Sequence, residues 1–246
     1  MTQSPYESME KMYRPQRHIY DLTRKYYLFG RDTLLKELNV QPGDRVLEAG
    51  CGTGRNLLKL VREFPDSLFF GVDASSSMIE TARRKFTRHK VTNVSLATEL
   101  AHTFSFADTF GLDSKFDKIV FSYSLSMMNS WRPVLENALK NLKADGEIHI
   151  VDFCDQQDLT RHFGQALKRW LAKFGVAFRP EMIEYFSDLE DSDRGRFDLR
   201  TLFGRYAFIA RFQKAGSDLP ALSEDRHGDA AENQTSADDG PKTVHL

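Results

Sequence analysis

Short apolar runs alternate along this chain with segments whose apolar residues recur every three or four positions. RVLEAG (45–50) reads as a buried strand, followed by a glycine-rich turn and the helical pattern RNLLKLVREF. LFFGVD (68–73) is a second strand, and SSSMIETARRKF a helix whose serines are able to cap its N-terminus. VTNVSLA (91–97) is a weaker third strand. FDKIVFSYS (116–124) is a fourth, ahead of the helix SWRPVLENALKNL, and EIHIVDF (147–153) follows the turn KADG as a fifth. Strands separated by helices predict a parallel, doubly wound sheet. DLTRHFGQALKRWLAKF is helical again. FDLRTLFGRYAFIARFQ (197–213) breaks the alternation, with two β-rich runs about a short Gly-Arg turn. The predicted fold is therefore α/β: a mostly parallel seven-stranded sheet that ends in an antiparallel hairpin.

Composition narrows the class. Of 246 residues, 41% are hydrophobic and 28% charged, as in ordinary soluble globular proteins. No apolar run approaches the ~20 residues of a membrane span. The polar opening MTQSPYESMEKMYR does not read as a secretory signal. Cys51 and Cys154 lie far apart without metal-ligand spacing, which suits reduced thiols in a cytoplasmic protein. Charge is unevenly placed. Seven acids and two bases give residues 215–246 a charge of −5, so in a chain of −1 overall residues 1–214 carry +4. The acidic stretch has no aromatic residue and is expected to be disordered. The mild positive charge of the remainder suits an anionic ligand or surface and is too weak for nucleic acid. The expected organisation is an N-terminal helical lid at 1–40, one catalytic domain at 41–214 and an acidic tail at 215–246.

The chemistry starts in VLEAGCGTGRNL. Gly50, Gly52 and Gly54 follow a strand and open a helix, with Glu48 at the strand end. Glycines there let backbone approach a ligand, and the helix N-terminus offers free N–H groups. The dinucleotide fingerprint needs a glycine at 55, where the chain has Arg55. A carboxylate beside the turn favours a cationic amino group over a pyrophosphate. Asp73, ending the second strand, is placed to accept the two hydroxyls of a ribose. A nucleoside at one end and a cationic amino acid at the other describe S-adenosylmethionine.

EAGCGTG, GVDAS, FDKIVFSYSLSMM and the hairpin at 197–213 together resemble the class I S-adenosylmethionine-dependent methyltransferases, which are Rossmann-like. The resemblance implies a cofactor site lined by Glu48, Ala49, Gly50, Cys51, Gly52, Thr53, Gly54 and Asn56. It adds Asp73, Ala74, Ser75 and Met78 after the second strand, Glu99 and Leu100 after the third, and Ser122 and Tyr123 on the fourth. HIYDLTRKYYLFGRD, FSYSLSMMNSW, IHIVDF and FGRYAF are further similar to the diacylglyceryl-homoserine N-methyltransferases of betaine lipid synthesis. That implies successive N-methylation of a lipid-borne amine, with the enzyme making the precursor as a candidate partner.

Methyl transfer requires alignment of donor and acceptor and exclusion of water. Aromatic rings favour the sulfonium and the quaternary ammonium product. Tyr20 and Tyr27, near helical spacing, are expected to cover the site, and Tyr123 to border the transferring methyl. Asp152, tyrosines and water are candidate proton acceptors. Residues 11–31 carry +5, and Phe163, Leu167, Trp170, Leu171 and Phe174 form an apolar stripe among Arg161, Lys168, Arg169 and Lys173. Such basic amphipathic segments suit a lipid interface. The expected location is thus the inner face of a membrane, peripherally; a core-facing stripe with a solvated basic face is the alternative. Tyr20-Asp21 is also reminiscent of quinone methyltransferases, so a methyltransferase of another substrate class, acting on a quinone ring or a small-molecule amine, is the second reading, and a non-catalytic cofactor-binding partner is the third.

Overall fold

The computed structural model describes residues 28–172 and 176–216. Seven strands form one sheet in the order β3-β2-β1-β4-β5-β7-β6. They are β1 Arg45–Ala49, β2 Leu68–Asp73, β3 Val94–Thr98, β4 Phe116–Ser122, β5 Leu142–Phe153, β6 Gly195–Leu202 and β7 Ala207–Lys214. β1 to β5 pair in parallel, and β7 runs antiparallel to both β5 and β6. The α/β reading with an antiparallel C-terminal hairpin holds. Among the described residues the α-helices are α1 Arg31–Glu37, α2 Arg55–Glu63, α3 Ser76–Arg88, α4 Trp131–Asn141, α5 Arg161–Ala172 and α6 Pro180–Asp191.

Alternation along the strands creates two apolar layers. Leu47, Val72, Phe121, Ile150 and Phe212 face α4 and α6 through Val134, Leu135, Met182 and Phe186. Val46, Phe69, Val120, Val151 and Ile209 face Leu34 of α1, Leu57 and Leu60 of α2 and Phe86 of α3. Helices on both faces leave the carboxyl ends of the parallel strands as the open edge where ligands bind in such sheets.

Several boundaries move. β5 starts five residues before the expected strand, because Leu142 pairs with Phe116 before the register shifts and Lys118 pairs with Glu147. β4 ends at Ser122, so Tyr123 is not on the strand; it sits beyond it with φ +54°. Of the stripe expected on α5, Leu167 and Leu171 pack on the core, while Trp170 is exposed with Lys168 and Arg169; the side chains of Phe163 and Phe174 lie outside the described residues. Helix α6 went unread in the sequence, although Pro180 opens it and Met182, Phe186 and Leu189 recur on its buried face. Tyr20, Tyr27 and the acidic tail beyond Gly216 lie outside the described residues.

Candidate functional site

The turn between β1 and α2 is held by two kinds of glycine. Gly50 and Gly54 have φ of +78° and +70°, and their surroundings are full. A Cβ on Gly50 would lie 2.6 Å from Cβ of Ser124, and one on Gly54 2.8 Å from Cζ of Phe86. Gly52 has φ +54° and nothing within 4 Å of its Cβ position, so it leaves backbone facing open space. Its N–H donates to Oδ2 of Asp73 at 2.8 Å, while Oδ1 of Asp73 accepts from the Ser75 N–H at 2.9 Å. Two backbone donors thus fix the Asp73 carboxylate between the first two strand ends. Ser75 caps α3 by accepting from the Met78 N–H, as the serine run suggested.

Glu48, 3% exposed, points to the α2 side of the sheet. Its Oε1 accepts from Nδ2 of Asn56 at 2.7 Å, and its Oε2 has no hydrogen-bond partner. Burial raises its pKa from 4.5 to about 7, against the lowering effects of Asn56 and the Arg31 guanidinium; the Asp73 charge adds to the rise.

Five buried side-chain polar atoms lack a partner among the described residues. Four of them belong to Glu48, Ser122, Ser126 and Gln156, which sit at or just beyond the ends of β1, β4 and β5. Unpaired buried polar atoms are rare and costly, so their gathering on one edge marks it as built for a polar ligand.

The other sequence candidates fall into place around this edge. Ala49 is buried, and its carbonyl accepts from the Ser124 hydroxyl. Ala74 is half-buried beside Asp73, and Met78 is buried in the first turn of α3. Glu99 and Leu100 follow β3, where Glu99 Oε1 accepts from the Leu100 N–H and the Thr103 hydroxyl. Cys51 and Thr53 turn their side chains away from the open edge. The Cys51 thiol is turned into the core, 2.8 Å from a Cβ position on Gly71, and burial raises its pKa. Thr53 faces α3, where its carbonyl and hydroxyl both accept from Lys85. Asp152 is buried in β5, with Oδ2 accepting from the Ser126 N–H and Oδ1 from the Phe153 N–H. That anchors the turn after β4 to β5.

Tyr123 is buried too, and its hydroxyl donates to the Phe29 carbonyl at 2.5 Å. Burial, with the Asp152 charge nearby, raises its pKa well above 10. Its ring meets Phe153 edge-on at 4.6 Å, Phe153 meets Tyr206, and Phe29 meets both Tyr206 and Phe203. Leu28–Asp32 lies across the same edge, since Asp32 also pairs with Arg55 and Lys59 of α2. Phe29 and Phe203 are 44% and 60% exposed, forming an aromatic lip.

Past β5, Cys154 donates its N–H to the Tyr206 carbonyl and Gln156 its N–H to the Arg205 carbonyl. Arg205 pairs through Nε and Nη2 with the Asp155 carboxylate, latching this loop to the β6–β7 turn. Beside it is a cavity of about 270 Å³ lined by Phe153, Cys154, Asp155, Gln156, Lys168, Leu171, Val176 and Phe178. Gln156 carries no signal in the sequence, and Phe29, Phe153 and Tyr206 carry only the family likeness of LFGRD, IHIVDF and FGRYAF, which says nothing of their meeting in space. Among the described residues there is no metal-binding cluster, and no helix is long and apolar enough to cross a membrane.

The family profile described as a methyltransferase domain matches residues 41–194. A demethylmenaquinone methyltransferase of Listeria monocytogenes serotype 4a is 26% identical over 203 residues, covering 79% of this chain and 83% of its own. Phosphoethanolamine N-methyltransferase 2 of Haemonchus contortus, solved with S-adenosyl-L-methionine, superposes with a TM-score of 0.68 at 14% identity, covering 87% of this chain and 60% of that one. An S-adenosylmethionine-dependent methyltransferase of Aquifex aeolicus superposes at 0.56 with 18% identity, covering 87% and 100%. At these identities the structural likeness establishes the fold.

Proposed function

Because this chain belongs to the methyltransferase domain family, we propose that it methylates the amine of a lipid headgroup, diacylglyceryl-homoserine, to give a betaine lipid. The methyl donor is S-adenosylmethionine, which when bound supplies an electrophilic methyl group on a sulfonium. The residues of the carboxyl edge fit that donor. The free Oε2 of Glu48 offers a buried negative acceptor to a cationic amino group. The Gly52 backbone leaves room for close approach, and Asp73 is rigidly held beside it for the ribose hydroxyls.

One observation carries the choice of acceptor. The four stretches similar to the diacylglyceryl-homoserine enzymes are far apart in sequence, yet they meet in one aromatic cluster. Phe29, Tyr123, Phe153, Phe203 and Tyr206 bring together LFGRD, FSYS, IVDF and FGRYAF. The exposed rings of Phe29 and Phe203 suit contact with acyl chains at a membrane surface. Tyr20 and Tyr27 precede this lip directly and are proposed to complete the cover. A protonated amine has no lone pair for attack. Desolvation beside the aromatic cluster favours the neutral amine, and the proton leaves to water. Tyr123 and Asp152 act by position: one holds Leu28–Asp32 over the edge, the other holds the turn after β4.

A second reading, quinone-ring C-methylation, is favoured by the relatives named demethylmenaquinone methyltransferases. Incubation with methyl-labelled cofactor and a bacterial lipid extract separates the two. Label in a polar headgroup lipid is expected; label in quinone, or none, overturns the proposal.

A further inference from the structure

The cavity beside the β5–α5 loop combines features that a plain apolar pocket does not need. Its walls are Phe153, Leu171, Val176 and Phe178. Its polar groups are Asp155, already paired with Arg205, together with Gln156 and Lys168. Gln156 is 5% exposed, and its side-chain carbonyl oxygen has no hydrogen-bond partner. Its backbone is held at φ +62° by the Arg205 latch. Lys168 is exposed on α5, and its charge reaches Asp155. The cavity adjoins the turn after β4, because the Ala177 N–H beside Val176 and Phe178 donates to the Ser126 carbonyl. That turn also carries Ser124, against the glycine turn.

We infer that this cavity is the acceptor pocket and that it selects a zwitterionic amino-acid headgroup. The Gln156 side-chain carbonyl accepts a hydrogen bond from the acceptor amine, and Lys168 pairs with the acceptor carboxylate. Two aromatic walls, Phe153 and Phe178, face the nitrogen as it becomes quaternary and loses its donors. At about 270 Å³ the cavity falls just below the size of pockets that enclose drug-sized ligands, so a headgroup enters and acyl chains stay outside. A quinol ring has neither the carboxylate for Lys168 nor the cationic product for the aromatic walls. This assignment rests on the reading of the chain as a lipid-amine methyltransferase.

The test uses the full chain and purified diacylglyceryl-homoserine in mixed micelles, with labelled S-adenosylmethionine. Wild type is compared with Lys168→Met, Lys168→Arg, Gln156→Leu and Phe178→Trp, and each is titrated calorimetrically with S-adenosylhomocysteine. Lys168→Met is expected to raise KM for the lipid at least about tenfold, with Lys168→Arg within about threefold of wild type. Gln156→Leu is expected to raise it roughly fivefold or more. Cofactor-product affinity stays within about twofold throughout, which separates pocket effects from misfolding. Phe178→Trp, which fills the cavity, is the second route should Gln156→Leu fail to bind the product: transfer is lost while product binding stays. KM unchanged in Lys168→Met and Gln156→Leu, or transfer retained in Phe178→Trp, overturns the pocket and leaves the lipid-amine reading standing. A wild type that labels a demethylated quinol and not this lipid overturns both.

Discussion

Replacing Glu48 by Gln separates cofactor binding from stability, and the two change in opposite directions. The substitution keeps the size of the side chain and the acceptor for Asn56 Nδ2, removes the charge, and puts an amide NH2 where the unpartnered Oε2 stood. A hydrogen bond to a charged group contributes about 1.5–3 kcal/mol, so S-adenosylhomocysteine affinity at alkaline pH falls roughly 10- to 150-fold. In the wild type the pKa of about 7 sets the pH dependence. A cationic amino group prefers the carboxylate, so affinity falls toward about tenfold per pH unit below that value. Stability follows the reverse course. The folded pKa of about 7 is raised above the ordinary 4.5, so this group's contribution is fully present below pH 4.5 and is lost as pH rises through 7. Two and a half pH units correspond to about 3 kcal/mol, which the ligand-free Glu48→Gln protein regains in alkaline solution. Calorimetric titration and thermal unfolding between about pH 5.5 and 8 read both effects. Equal affinities of wild type and variant at the alkaline end, or a flat wild-type profile, would refute the reasoning.

Four other outcomes follow from the same geometry. Gly54→Ala, at φ +70° with its Cβ against Phe86, costs about 2–3 kcal/mol of stability by thermal unfolding. Gly52→Ala costs about 1–2 kcal/mol from φ alone, yet weakens product binding in calorimetry more than Gly54→Ala does. Arg205→Met strands the Asp155 carboxylate and costs about 3 kcal/mol in denaturant unfolding. Burial alone would raise the Asp155 pKa, but Arg205 holds it below the ordinary 3.8, so the pair's contribution is lost as pH falls through that range. Phe29→Ser with Phe203→Asn removes two half-exposed rings and lowers co-sedimentation with anionic vesicles roughly 30-fold; unchanged binding removes these rings from the membrane contact.

The sheet, its parallel order and the hairpin were legible because strand and helix periods change cleanly at turn residues. Gly50, Gly52, Gly54, Glu48 and Asp73 were legible for the same reason: a tight turn at a strand end admits few residue types. The direction of side chains within that turn was not. Cys51 and Thr53 point away from the open space because the left-handed glycines rotate successive residues toward the core and α3. Gln156 was illegible because its place depends on Arg205, nearly fifty residues later, which folds the hairpin turn back onto the β5 end. Tyr123 was read as a strand residue because FSYS continues the apolar run of β4; its left-handed backbone ends the strand one residue earlier.

A crystal structure of the chain with S-adenosylhomocysteine tests the central claim most directly. The account predicts the amino group of the product on Glu48 Oε2, the ribose hydroxyls on Asp73, and the sulfur facing the cavity of Gln156 and Phe178. A product bound away from the β1–α2 turn, or with its sulfur walled off from that cavity, contradicts it.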